Sequence, residues 1–371
     1  MLLALLCLCS PSSLVQDEHE ARPNVLVSQA AVALNSSSDG KNYLHLHGDR
    51  DRGPGRNRRV VLIAGDEEYR SEEVQPMLAR HLNQLGFECV VLFSQNPETG
   101  EIDPNEQQHI PSTEWINDAD LLILQLRFRA LPEAQMQPLV DYIKAGKPVI
   151  GLRTSTHAFD YRKQPDAKYA SWSFDSRNWP GGFGKQVLGE NWVAHHGGHG
   201  SQATRALPHP AQAHHPVMRG VGPIFGPSDV YTVNKLPADA IRLMDGQVVA
   251  GMSIDDPGLE GAKNEPMMPV AWLRERRLPP IYVDGEGIPV NQRVFTTTMG
   301  AAEDWSDVDL RRLFLNASLW CLGEEDGIPY EGFPAELEED WQPTAFGFGR
   351  ARLGYKPQDY LLASPWTLSE D

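Results

Sequence analysis

"RRVVLIAGDEEYR" (residues 58–70) sets five consecutive apolar residues and a glycine between two arginines and a cluster of charged groups. A short, unbroken apolar run of this kind is a strand buried on both faces, because a strand with one wet face would alternate. The next stretch, "SEEVQPMLARHLNQLG" (71–86), changes period: Ser71 stands as an N-cap, Glu72 and Glu73 supply an acidic first turn, and Gly86 is a stop. "FECVVLF" (87–93) returns to an apolar run, completing a βαβ unit. The alternation continues through "ADLLILQL" (119–126), the helix "PEAQMQPLVDYIKAG" (132–146) between Pro132 and Gly146, and "KPVIGL" (147–152). Apolar strands alternating with amphipathic helices imply an α/β fold with a doubly wound, mostly parallel sheet covered on both faces.

Beyond residue 157 the pattern loosens. Residues 158–230 are rich in Gly, Pro, His and Trp and too long for a plain connection, which marks them as functional loop insertions. "AIRLMDGQVVAGMS" (240–253) places Asp245-Gly246 between apolar runs as a hairpin signal, and "MMPVAWLRE" (267–275) and "RVFTTTMG" (293–300) read as further strands. "SDVDLRRLFLNASLWCLG" (306–323) is a closing helix with Ser306 as its cap, and residues 324–371 form an extended tail laid on the domain.

The chain of 371 residues carries 33 Lys and Arg against 50 Asp and Glu, a net charge of -17, so a nucleic-acid backbone would be repelled. The apolar start "MLLALLCLCS" has the length of a signal-peptide core and is too short to span a membrane. Residues 1–16 are therefore expected to be a signal peptide, with export to the periplasm or the outside, no integral membrane insertion, and residues 17–57 as a polar linker. Two of the four cysteines, Cys89 and Cys321, remain after such a signal; both read as buried thiols. Assembly into a homo-oligomer stays open.

In open α/β sheets ligands bind outside the carboxyl ends of the strands. Asp66 to Arg70, with Glu68 and Tyr69 as substrate contacts, follow the first strand; Arg127 and Arg129 follow the third; Arg153 to His157 follow the fourth. Neither a dinucleotide-binding G-x-G-x-x-G nor a P-loop is present. The turn after the fourth strand offers no cysteine, and Ser155 lacks the glycines of a nucleophile elbow, so it reads as a cap or a binding hydroxyl. Arg153, at that elbow, is expected to meet an anion or oxyanion.

"NWVAHHGGHGSQATRALPHPAQAHHPV" (191–217) holds six of the twelve histidines. Two chemistries fit. His157 and His195 can exchange a proton with a substrate, since imidazole titrates near neutrality. Alternatively His157, His195, His199 and His215, with a carboxylate such as Glu68, can hold a divalent transition metal (Zn, Mn or Ni). His19, His45, His47, His81 and His109 read as solvated loop residues. In "YASWSFDSRNWPGGFG" (169–184), Trp172 and Trp179 offer flat faces for a sugar ring, with core packing as the alternative.

The strand-end "GDEEYR" (65–70), "AGKPVIGLRTSTHAF" (145–159), "HHPVMRGV" (214–221) followed by "SDVYTV" (228–233), "PVAW" (269–272), "RVFTTTMG" and "NASLWCLG" (316–323) together resemble the ThuA-like (trehalose-utilisation) family over residues 58–323. The resemblance implies a flavodoxin-like fold of the class I glutamine amidotransferase-like superfamily without its cysteine, hence no glutamine amidotransferase activity. It also implies a small-molecule carbohydrate as partner, with an oxidised (3-keto) glycoside as substrate class for hydrolysis, elimination or isomerisation. Family motifs fall on His157, His195, His215, Asp229, Tyr231 and Trp272. Where many relatives carry a histidine after "TT", this chain has Ala301. A protein that kept the fold and lost the chemistry would be a non-catalytic carbohydrate-binding or envelope interaction protein.

Overall fold

The computed structural model describes residues 42–283, 286–337, 341–361 and 364–365. The expected signal peptide and most of the expected linker lie outside them. Among these residues ten strands form one sheet: β1 (Tyr43–Leu46), β2 (Arg59–Gly65), β3 (Glu88–Phe93), β4 (Leu121–Leu126), β5 (Val149–Leu152), β6 (Thr204–Pro208), β7 (Ile224–Gly226), β8 (Ala240–Val248), β9 (Met268–Val283) and β10 (Glu286–Thr297). Among the described residues three α-helices accompany it, α1 (Ser71–Gln84), α2 (Glu133–Lys144) and α3 (Val308–Cys321). The order across the sheet is β1-β3-β2-β4-β5-β10-β9-β8-β6-β7.

Along β2 the side chains alternate between two cores. Val60, Leu62 and Ala64 join the side covered by α1 and α3, whereas Val61 and Ile63 join the side covered by α2. Both faces are dry, which is why the strand needs no polar residue. The parallel pairings run from β3 through β2, β4 and β5 to β10.

A mixed sheet replaces the expected mostly parallel one. β10 pairs with β9, β9 with β8, β8 with β6 and β6 with β7, all antiparallel, and β1 adds an antiparallel edge to β3. The physical reason is connectivity: among the described residues no α-helix lies between β6 and β10 to serve as the usual crossover of a parallel pair, and only the long insertion after β5 lets β10 return parallel to it. β1 also lies inside the stretch read as linker, its His45 buried and bonded to Glu88 at 2.9 Å. His81 is likewise buried, its ring nitrogens on the carbonyls of Met77 and Glu336, so neither is a solvated loop residue.

Three local expectations are corrected. Asp245-Gly246 is no hairpin turn: β8 runs through it, because the Asp245 carboxylate accepts from His209 and Arg242 within the sheet, and Gly246 lets Val270 approach to where a Cβ would be only 2.4 Å from its Cγ1. α1 is preceded by Arg70 in the left-handed region (φ 59°), not capped by Ser71, whose Oγ instead accepts from Asp66 N at 3.0 Å. α3 is capped by Asp307, which accepts from the Asp309 amide, one residue after Ser306. Trp272 is fully buried and donates its indole N–H to Leu188 O at 2.7 Å, and Cys89 and Cys321 are buried free thiols.

The tail crosses back over α1. Thr344 N donates to Glu73 at 2.8 Å, Gly347 N to Glu68 O at 2.8 Å, and Arg80 to Tyr360 O at 2.8 Å. Among the described residues no helix is long and apolar enough to cross a membrane.

Candidate functional site

β3 and β4 leave β2 on opposite sides, so the chain reverses direction at the β2/β4 crevice, and the turns after β2, β4, β5 and β10 meet there. Three of these turns hold a non-glycine residue at positive φ: Arg70 at 59°, Phe128 at 53° and Arg153 at 38°. Such conformations persist only where the surroundings enforce them, and here they point large side chains along the rim.

Asp66 organises the first turn. Its Oδ1 accepts from the amides of Glu68 (2.8 Å) and Tyr69 (3.1 Å), and its Oδ2 accepts from Thr154 Oγ1 in the turn after β5. Glu67 pairs with Arg127 and, at 2.7 Å, with Arg129. Arg129 is wholly buried and also donates to Ser94 Oγ and to the carbonyls of Arg127, Pro104 and Glu106, so it ties loops together and lies out of a substrate's reach. Arg127 is partly open, its guanidinium between the rings of Phe128 and Phe348 at 4.5 and 4.8 Å.

Arg153 is the buried hub. Nη1 donates to Asp229 O (3.1 Å) and Thr298 O (2.6 Å), and Nη2 to Tyr69 Oη (3.1 Å) and Asp229 Oδ1 (3.0 Å). Its guanidinium lies 4.2 Å from the ring centres of both Tyr69 and Tyr231. Asp229 also takes His195 Nδ1 on Oδ2 at 2.8 Å and His199 Nδ1 on Oδ1 at 3.1 Å. Burial by itself would raise the Asp229 pKa, but the bond from His195 and the charge of Arg153 outweigh it and hold the group below the ordinary carboxylate value. Glu68, with an oxygen 3.2 Å from His199 Nε2, is shifted the other way by burial and by the neighbouring Asp66.

His157 reaches the same region but differs in kind. It is 3% exposed, packed against Phe128, Trp192 and Tyr231, with Nδ1 near Thr156 Oγ1 at 3.3 Å. Burial, reinforced by Arg127 and Arg153, pushes its pKa well below the ordinary imidazole value. His215 is elsewhere: it caps the short helix Pro216–Met218 through Val217 N and lies against Trp320. Trp172 and Trp179 pack on each other, with Phe159 and Phe183 completing the cluster around Trp172. Ser155 Oγ donates to Leu124 O at 2.7 Å and is fully buried, a loop fastener with no access to a substrate. Ala301 is fully buried beside the Arg153 turn, its amide on Asp304.

Three rim residues were not foreseen. Phe346 lies tilted against Tyr69 (5.5 Å) and His199 (5.7 Å), Phe348 is 57% exposed over Arg127, and Trp192 meets both His157 (5.6 Å) and His195 (5.8 Å). The repeated Phe-Gly of "AFGFG" (345–349) is the only sequence sign of the first two. A separate cleft of about 530 Å³ lies at the opposite end of the strands, lined by His47, Arg58, Arg59, Glu88, Asp118 and Asp120. Its arginines and acids pair with one another, so a solvated ion-pair network accounts for it.

No protein-family model and no curated protein matches the chain. Solved structures similar to it include a ThuA-like protein from Parabacteroides merdae, 13% identical over 78% of this chain and 97% of that one, with a TM-score of 0.41. The N-terminal domain of mmIFT52 is 8% identical over 71% of this chain and 96% of that one, with a TM-score of 0.36. The exo-β-1,4-mannosidase Op5Man5 from Opitutaceae bacterium strain TAV5 is 12% identical over 75% of this chain and 35% of that one, with a TM-score of 0.24.

Proposed function

We propose that the chain is an exported, ThuA-like enzyme of carbohydrate breakdown, acting beside the carbonyl of an oxidised (3-keto) glycoside by proton transfer that leads to isomerisation, elimination or hydrolysis. The observation that carries the reading is that two imidazoles share one buried, arginine-held carboxylate at the carboxyl ends of the parallel strands. The strand order β3-β2-β4-β5-β10 supports a flavodoxin-like assignment, since it is the 2-1-3-4-5 order of that fold. Arg153 occupies the elbow where related folds place a cysteine.

In this reading Asp229 fixes both rings so that their outer nitrogens take and return the proton, as a carboxylate does for the histidine of a catalytic triad. Glu68, Tyr69 and Arg127 bound the substrate, and Trp192, Phe346 and Phe348 give its C–H face an apolar wall. Substrate contacts through Asp229 and Tyr231 are indirect, by way of Arg153. Export rests on residues 1–16; N-terminal sequencing of the mature protein should begin beyond them, and an uncleaved chain would remove that part of the proposal.

The test uses a 3-keto-glycoside and its unoxidised parent, with the reaction run in deuterated water. Turnover of the keto form alone is expected, with deuterium entering at the carbon next to the carbonyl, and His195→Ala is expected to lower kcat/KM by roughly 10²–10⁴-fold. Saturable binding without turnover, unchanged in His195→Ala, would replace the reading by a non-catalytic carbohydrate-binding protein. Absence of both would leave an envelope interaction protein.

A further inference from the structure

The two phenyl rings of the tail stand over different parts of the rim. Phe346 lies against His199, 5.7 Å between ring centres, and Trp192 meets His195 at 5.8 Å, so aromatic rings flank both imidazoles. Phe348 lies instead over the Arg127 guanidinium at 4.8 Å. Glu68 separates the two places, with one oxygen 3.2 Å from His199 Nε2 and the other 3.5 Å from Arg127 Nε. A single sugar unit held at the imidazoles therefore has Phe346 and Trp192 beside it, and Phe348 lies beyond it. Phe348 is 57% exposed, yet the backbone that carries it is fixed. Thr344 N donates to Glu73 and Gly347 N to Glu68 O, both at 2.8 Å, and Phe346 N donates to Glu303 at 3.1 Å. Arg70 donates to the carbonyls of Ala345 and Gly347. Gly347 (φ 134°) and Gly349 (φ 68°), on either side of the ring, hold conformations that favour glycine. An open ring already held in place is a ready stacking face, because little is lost in ordering it when a ligand arrives.

We propose that Phe348 is a specificity-determining residue: its ring is the platform for the second sugar of an oxidised disaccharide, whose keto unit lies between Phe346 and Trp192 at the two histidines. The flat apolar face of the ring takes the C–H face of that second sugar, and the partly open Arg127 beneath it offers N–H donors to the hydroxyls. The inference rests on the sugar reading above and narrows its substrate class, from any oxidised glycoside to one that still carries its second ring. Binding energy gained at Phe348, away from the reacting carbons, would then favour the disaccharide over a keto sugar with a small aglycone.

The test compares, on the full chain, the 3-keto form of a disaccharide with the 3-keto methyl glycoside of the same reacting sugar, which lacks the second ring. The parent is expected to favour the disaccharide in kcat/KM by roughly 5–20-fold. Phe348→Ala should erase most of that preference, and Phe348→Tyr, which restores a flat ring, should keep it. A ring needed only to seat the tail would, when removed, lower both substrates alike and leave their ratio as it was. An unchanged ratio in Phe348→Ala, or a parent with no preference, therefore overturns the subsite, while turnover itself upholds the sugar reading. Should the two compounds bind without turnover, the same ratio is read from Kd. Neither turnover nor binding of either compound by the parent would remove the sugar reading and the subsite with it. Circular dichroism checks that Phe348→Ala folds, and Phe348→Leu, apolar but without a flat face, replaces it if it does not.

Discussion

Arg153→Met is expected to destabilise the fold by about 3–5 kcal/mol, as removal of one partner from a buried ion pair does. The guanidinium and the Asp229 carboxylate are both fully buried, and Arg153 also satisfies the carbonyls of Asp229 and Thr298 and the hydroxyl of Tyr69. Methionine would fill the space between the tyrosine rings but leave those acceptors without their donor, with two half-open histidines as the remaining partners of the charge. Asp229→Leu should cost a similar amount by orphaning the guanidinium. Arg153→Met/Asp229→Leu removes both charges, so its cost should fall well short of the sum of the two. Denaturant unfolding of the four proteins gives the coupling directly, and strictly additive costs would show that the pair is not the unit on which the rim is built. Added salt should change the coupling little, because neither group is exposed to screening ions.

The half of the fold written in local periodicity was legible. The apolar runs of β2 to β5 and the amphipathic α1 and α2 each announce themselves within a few residues, and the strand-end rule then selects Glu68, Tyr69, Arg127 and Arg153 without further information. The loop histidines were legible as a group but not in role, since only the fold shows that His195 and His199 share Asp229 while His215 caps a short helix. His157 follows β5 as expected, yet aromatic packing on several sides makes it a buried ring, and no sequence feature carries that information. β1 was missed because "YLHL" is too short to show a period, and it forms only where the β3 edge receives it. The tail aromatics belong to the same class: Phe346 reaches Tyr69 and His199 through tail contacts with Glu73 and Glu68, and such long-range pairings leave no periodic trace.

Those tail contacts sit on a buried acidic pair that should make stability fall as pH rises. Glu72 is 2% exposed, and burial, with neighbouring Glu73 adding to it against the opposing charge of Arg70, pushes its carboxyl from 4.5 up to about 8. Among the described residues its Oε2 has no hydrogen-bond partner. A carboxyl whose pKa is higher in the folded state binds its proton more tightly there, so its stabilising effect is complete below about 4.5 and is lost as pH climbs to about 8. At about 1.4 kcal/mol per unit, this amounts to at most roughly 5 kcal/mol, shared between Glu72 and its neighbour. Glu72→Gln should match the parent near pH 5 and exceed its stability by about 2–4 kcal/mol near pH 8.5, read from denaturant unfolding across that range. Parallel pH profiles for the two proteins would show that the Glu72 carboxyl titrates alike folded and unfolded, and the idea would fail. Arg70, the partner of Glu72, also donates to the carbonyls of Ala345 and Gly347, so the cost of charging Glu72 falls where the tail meets the rim. At one alkaline pH, amide exchange at Thr344 and Gly347 should therefore be slower in Glu72→Gln than in the parent, while exchange in β2 changes only as far as global stability does.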